Sequence, residues 1–240
     1  MSLIRLIILT LFIFTQTQAD TIYNLIKIPN LEIYDIKTPN KLRYLYAKQP
    51  FTIGVDNNIN CYDSKRGILD QKYQIIQKNL NRYDQKFLKK INLKYIVLCE
   101  DLSISRINTA GIPDNIMKTL ILDVKFNENY FERVIHHEVF HIINDSFKQL
   151  FDEKIWSNFN IKEFKYAECS TCTDKLGLDT YTDTKGFFSE YSQSTASEDM
   201  AEVFSHLMMG VSLNNFDPIL EKKINFIKNT IQKIDENFIL

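Results

Sequence analysis

The sequence predicts an α+β fold, with a small twisted sheet first and a mainly helical part after it. Three observations predict it. Short β-branched and aromatic runs gather in residues 20–127. Helical patterns follow, in the segment that holds the histidines and again from Ser197 to the last helix. Strands and helices do not alternate strictly, which argues against a doubly wound parallel sheet.

Each element is readable in turn. "TIYNLIKI" and "KLRYLYAKQ" look like short strands, interrupted by Pro29, Pro39 and Pro50. "FTIGVD" (51–56) is a further strand. Tyr73, Ile76, Leu80, Tyr83, Phe87 and Ile91 mark one amphipathic helix over 70–92. "LKYIVLCEDLSI" (93–104) reads as a strand, "INTAGIPDNIM" as a loop, and "KTLILDVKF" (118–126) as a second strand. A helix follows, capped near Asn129 with Glu132 three residues on, and runs to Asn144 or Ser146. Residues 150–187 show no sustained period. A helix from Ser197 is closed by Gly210, and a last one opens at the cap Asp217 with Pro218 behind it.

Composition narrows the class. The chain has 240 residues and a formal net charge of −1, enough for one sizeable core. No basic stripe runs along it, so nucleic acid is not an expected partner. The opening "MSLIRLIILTLFIFTQTQAD" has Arg5, an apolar run to Phe14 and then small side chains at Thr17 and Ala19. This reads as a secretory signal peptide over residues 1–19 rather than an uncleaved anchor, since the apolar run is short of the roughly 20 residues that span a bilayer; one domain over 20–240, with no membrane span, is expected to remain. The expected location is periplasmic or extracellular. In such a chain Cys61, Cys99, Cys169 and Cys172 suggest disulfides. Three pairings are open; Cys61–Cys99 with Cys169–Cys172 is the most local. "CSTC" alone could also be a redox pair or half of a metal site.

Three of the four histidines fall within "RVIHHEVFHIIN" (133–144). His137-Glu138-Val139-Phe140-His141 is HExxH. On a helix, positions i and i+4 share a face, so both imidazoles can reach one cation. Glu138 sits about 100° round the helix, beside the cation rather than on it. That placement suits a general base. Apolar residues surround the histidines, so each polar group needs a partner. His136 reads as a surface or supporting residue. The expected cofactor is Zn2+, one per chain. A third ligand must come from farther on, because a metzincin would need glycine at 144 and histidine at 147. The chain has Asn144 and Phe147 there. "SEDMAEVFSH" offers Glu198, Glu202 and His206 at i+4 steps, one carboxylate on the metal and the next supporting a histidine. Asp179 and Asp183 are weaker alternatives.

"HHEVFH" followed by "GFFSEYSQSTASEDMAEVFSHLM" resembles the gluzincins, zinc metallopeptidases whose third ligand is a glutamate on a later helix. The nearest pattern is that of anthrax lethal factor-like catalytic domains, across roughly residues 118–210. There a tyrosine precedes the ligand glutamate by seven residues and a second glutamate follows by four, as Tyr191, Glu198 and Glu202 do here. The resemblance implies a zincin-like fold, Glu198 as third ligand, Glu202 in support and Tyr191 on the oxyanion. The chain departs from that pattern at Phe140, where glycine is frequent, and in the inserted loop with Cys169 and Cys172.

The expected activity is that of an exported zinc-dependent endopeptidase. It would cut protein or peptide substrates through a zinc-bound water, with Glu138 as base and strand 118–126 as the edge that pairs with substrate. The rivals are a zinc-stapled binding protein without turnover, and a hydrolase of non-peptide amides.

Overall fold

The computed structural model describes residue 28 and residues 30–114, 117–211 and 217–240. The signal-peptide expectation and most of "TIYNLIKI" lie outside these residues.

The described strands are β1 (Leu31–Asp35), β2 (Arg43–Ala47), β3 (Phe51–Ile53), β4 (Ile59–Tyr62), β5 (Tyr95–Ile104), β6 (Ile107–Asn108), β7 (Gly111–Asp114) and β8 (Thr119–Asp123). The helices are α1 (Arg66–Leu80), α2 (Gln85–Lys90), α3 (Glu128–Ser146), α4 (Glu153–Ser157), α5 (Ala196–Met208) and α6 (Pro218–Ile234). The class is mixed α+β, as expected.

The long strand β5 organises the sheet. Its first half lies parallel to both β2 and β8. Its second half pairs antiparallel with β4 and β6. Between the halves Asp101 adopts φ +53°. The Asp123 carboxylate accepts the N–H groups of Asp101 and Leu102, each at 3.1 Å. That pair of bonds holds the bend and curls the sheet.

Side-chain alternation sends the two faces to different cores. Ile96, Leu98, Leu120 and Leu122 meet the helices, while Val97, Cys99 and Ile121 meet β3 and β4. Burial of one such side chain is worth about 1.5–3 kcal/mol. Coverage of both faces accounts for the burial of β8 at every position from Thr119 to Asp123. The disulfides are Cys61–Cys99, which ties β4 to β5, and Cys169–Cys172. This is the most local of the pairings left open.

Several expectations need correction. The helix expected over 70–92 is two, because Asp84 caps α2 through the Phe87 N–H at 2.7 Å. Asn40 also draws the intervening turn inward, donating to the Leu80 carbonyl at 2.8 Å. Helix α3 is capped by Asn127, not Asn129. Glu132 makes no capping box but accepts from Asn79 and Lys78 of α1. Strand β8 is not an edge: β7 pairs on its outer side, with Gly111 opposite Leu122 and Asp114 opposite Thr119. Residues 111–114 had read as loop because Gly and Pro punctuate them. An edge position tolerates Pro113, which lacks an N–H to donate.

Helices α3 and α5 pack directly together, with α6 behind α5. The buried Lys223 of α6 donates to Asp199 of α5 at 2.6 Å and to the Gly186 carbonyl at 2.7 Å. Asp199 also accepts from Trp156 and Tyr166. Removing one partner of a buried ion pair leaves the other charge uncompensated. Lys223→Met is therefore expected to lower unfolding free energy by about 3–5 kcal/mol, read from the denaturant midpoint.

Candidate metal centre and active-site cleft

Helix α3 sets two donors. His137 and His141 are one turn apart, and their Nε2 atoms lie 3.2 Å apart. The third donor comes from the first turn of α5. Thr195 caps that helix, its hydroxyl accepting the Glu198 N–H at 3.2 Å. Thr195 and Glu198 have capping-box spacing, yet the Glu198 carboxylate turns to the histidines instead. Its Oε2 lies 2.8 Å from His137 Nε2 and 3.1 Å from His141 Nε2. All three ligand atoms lie within 4.8 Å of one another.

Hydrogen-bond logic tests whether a cation fits. Glu202 Oε1 lies 3.0 Å from His137 Nδ1. A carboxylate only accepts, so the proton sits on Nδ1 and Nε2 keeps its lone pair. That lone pair faces the Glu198 oxygen and the His141 ring. Converging lone pairs repel unless a cation or an added proton lies between them. Four-coordinate zinc with bonds of about 2.0–2.1 Å needs ligand atoms roughly this far apart. The donor set fits Zn2+. In its own field the cluster favours ionisation. Burial pushes Glu198 up, but both imidazoles outweigh it and hold the carboxyl well below its usual range. Burial likewise opposes a charged His137, yet Glu198 and Glu202 raise it.

A second ring of contacts fixes these ligands. Glu202 Oε2 accepts from the guanidinium of Arg133 and from Ser189 Oγ, the latter at 2.7 Å. Arg133 also donates to the Leu178 carbonyl at 2.6 Å. Ser197 Oγ lies 3.4 Å from His141 Nδ1. The sequence reading missed Arg133, although its place four residues before His137 puts it on the same helical face. His136, read as surface or supporting, is fully buried. It accepts from the Tyr83 hydroxyl at 2.7 Å and donates to Asn79 Oδ1 at 2.9 Å. Burial, then the nearby Arg82, pulls its pKa down to about 3, so it stays neutral. It joins α3 to α1 and takes no part in the cluster.

His206 also stays away. Its Nδ1 donates to the Glu202 carbonyl at 2.8 Å, and its ring stacks on Phe188. Asp179 accepts from the Tyr130 hydroxyl and Asp183 pairs with Lys185. Neither belongs to the cluster.

The cluster opens into a cleft of about 430 Å3. One wall is the edge strand β7 with the segment before it, and the other comes from α3, Leu176, Leu178 and Tyr191. Ser170 and Thr171, inside the Cys169–Cys172 loop, reach the same cleft. Glu138 lines it too. Burial pushes its pKa up to about 7, and among the described residues no hydrogen bond reaches its carboxylate. Gly111 of β7 makes room for it: a Cβ there would lie 2.7 Å from Glu138 Cγ. The Tyr191 ring sits 5.7 Å from that of His137, and its backbone N–H is tied to the Gly177 carbonyl at 2.9 Å. Burial and then the Glu198 charge raise its hydroxyl above the usual tyrosine range, which keeps it a donor.

A family model described as "Putative zinc-binding metallo-peptidase" matches residues 16–237. The fold is similar to a crystal structure of a putative zinc-binding metallo-peptidase from Bacteroides caccae. Identity there is 20%, the TM-score is 0.50, and the match covers 81% of this chain and 80% of that one. A search of curated proteins finds no match. With nearly its whole length matched by that model, and with two histidines and a glutamate gathered at one point, the chain belongs to the family of zinc-binding metallopeptidases.

Proposed function

We propose that the chain is an exported, zincin-like endopeptidase of the gluzincin type. It would hold one Zn2+ on His137, His141 and Glu198 and use Glu138 as general base. The observation that carries this reading is the state of Glu138. Among the described residues nothing hydrogen-bonds this carboxylate, and it opens onto the cleft beside the three donors, where a merely structural site would have no use for it. Placed in the cleft beside the three donors, with its pKa pushed up to about 7, it suits proton transfer near neutral pH.

Bound Zn2+ would supply a Lewis acid that polarises a carbonyl and acidifies water. The chain's own groups divide the rest. Strand β7 offers edge N–H and C=O groups to an extended peptide, which would lay its scissile bond across the cleft. Glu138 takes a proton from the attacking water and delivers it to the departing amine. The Tyr191 hydroxyl donates to the oxygen that becomes negative, a contact made mainly in the transition state. Glu202, steered by Arg133 and Ser189, keeps the proton on His137 Nδ1. The two disulfides support export, since such bonds persist in oxidising compartments. Cleavage after Ala19 and a periplasmic or extracellular location complete the proposal.

Three measurements test it. Wild type should carry one zinc per chain by elemental analysis, and Glu198→Ala well below one; equal metal in both removes Glu198 from the ligand set. Glu138→Gln should keep its zinc while hydrolysis of an unfolded protein falls by roughly 10²–10⁴-fold. Retained hydrolysis would refute the general-base role. Gly111→Ala should also keep its zinc but lower kcat, on the order of 10²-fold if Glu138 moves by about 1 Å. An unchanged kcat would show that β7 does not set the position of Glu138.

A further inference from the structure

A second hollow, of about 440 Å3, lies at the other end of the parallel strands and shares no lining residue with the cleft. Lys41, Arg43, Lys89, Lys94 and Lys118 border it, and no described acidic residue does. The arrangement follows from register. Strands β2, β5 and β8 start level, with Arg43 opposite Tyr95 and Tyr95 opposite Thr119. Arg43 opens β2, Lys94 immediately precedes β5, and Lys118 immediately precedes β8. Neighbouring strands are about 4.8 Å apart, so Lys94 and Lys118 stand side by side, one register step before Arg43, and Lys94 and Arg43 come together over the Tyr95 ring. Backbone bonds tie these strand starts together: the Arg43 N–H donates to the Lys94 carbonyl at 3.0 Å, and the Lys94 N–H to the Lys118 carbonyl at 2.9 Å. Lys41 and Lys89 complete the border.

Some cations of the chain are neutralised by acidic partners. Lys48, Arg66, Lys72, Lys78, Lys90 and Lys125 each meet a carboxylate. None of the five cations around the hollow forms an ion pair among the described residues; Arg43 and Lys94 only lean over the Tyr95 ring, at 5.9 and 5.2 Å. Like charges gathered around one hollow repel, and a concave wall focuses their field outward. The hollow has the size of a small-molecule site, about 300–1,000 Å3. A single negative charge would leave most of the five uncompensated. Arg43 adds a planar fork suited to an oxyanion.

We propose that this hollow binds a small multivalent oxyanion of the phosphate or sulfate type, apart from the proteolytic cleft. The source could be a free anion or an anionic lipid headgroup, and the test separates them. Inorganic pyrophosphate is titrated calorimetrically into the zinc-loaded chain at low salt. Vesicles of phosphatidylglycerol, with phosphatidylcholine as control, are tested by co-sedimentation. Saturable pyrophosphate binding at one site is expected. Arg43→Gln/Lys94→Gln should weaken it at least about tenfold and leave peptide hydrolysis unchanged. The exposed pair Lys41→Gln/Lys118→Gln gives a second variant should the first not fold, and Lys48→Gln, whose lysine is already paired, should bind as wild type does. Co-sedimentation lost in the same variants identifies the lipid source; pyrophosphate binding alone identifies the free anion. Binding that is absent at low salt, or equally strong in both double variants, overturns the proposal. Equal binding would place the anion at the zinc site, which these substitutions leave intact.

Discussion

The contact between α3 and α5 is the constraint on which the rest depends. It brings two imidazole nitrogens and one carboxylate oxygen to a point where their electron pairs oppose one another. Such a meeting is unfavourable until a cation or a proton occupies the centre, so part of the packing energy of the two helices holds it together. Phe140, Phe204, Ile143 and Met200 belong to the fully buried core that supplies that energy. A cation held there would couple its binding to folding, because the donors come from segments nearly sixty residues apart.

The polar groups around the cluster are arranged so that each residue's position depends on the next. His137 is oriented by Glu202, Glu202 by Arg133 and Ser189, and Arg133 by the Leu178 carbonyl. Behind α5, Asp199 sits beside Glu198 in sequence but faces the other way, into Lys223, Trp156 and Tyr166. Adjacent carboxylates on one helix turn therefore serve opposite ends of the core. His136 and His137 divide in the same manner: one staples α3 to α1 as a neutral ring, the other faces the cleft.

Local patterns carried much of this into the sequence. HExxH, the cap at Asp217, the close at Gly210 and the helical period from Ser197 can be read without knowing where the chain turns back. Failures fell where a distant group decided the outcome. The 70–92 period ran on through Tyr83, and only the Asp84 cap and the reach of Asn40 divide that helix. His136 reads as a spare histidine until Tyr83 and Asn79, more than fifty residues earlier, are seen to close over it. Strand β7 has no strand signal of its own, since Gly111 and Pro113 mark loops. Its state is imposed by pairing with β8, and its glycine is explained only by the nearness of Glu138.

The two departures from the gluzincin pattern have physical accounts. Phe140 fills the place where glycine is frequent, and its ring points into the core, 5.1 Å from Phe151 and 5.4 Å from Phe204. A large residue is tolerated there because the adjoining helices leave an apolar space, so Phe140 strengthens the wall behind His141 without entering the cleft. The inserted cysteine loop does enter it. Closed by its own disulfide and tied to the turn before α5 through the Ala167 N–H and the Ser194 carbonyl, it delivers Ser170 and Thr171 to the cleft wall. The short covalent ring limits the shapes this segment can take. The cleft is therefore bounded by a hydrogen-bonded edge strand on one side and a covalently restricted loop on the other, each wall tied to one of the two helices that carry the donors.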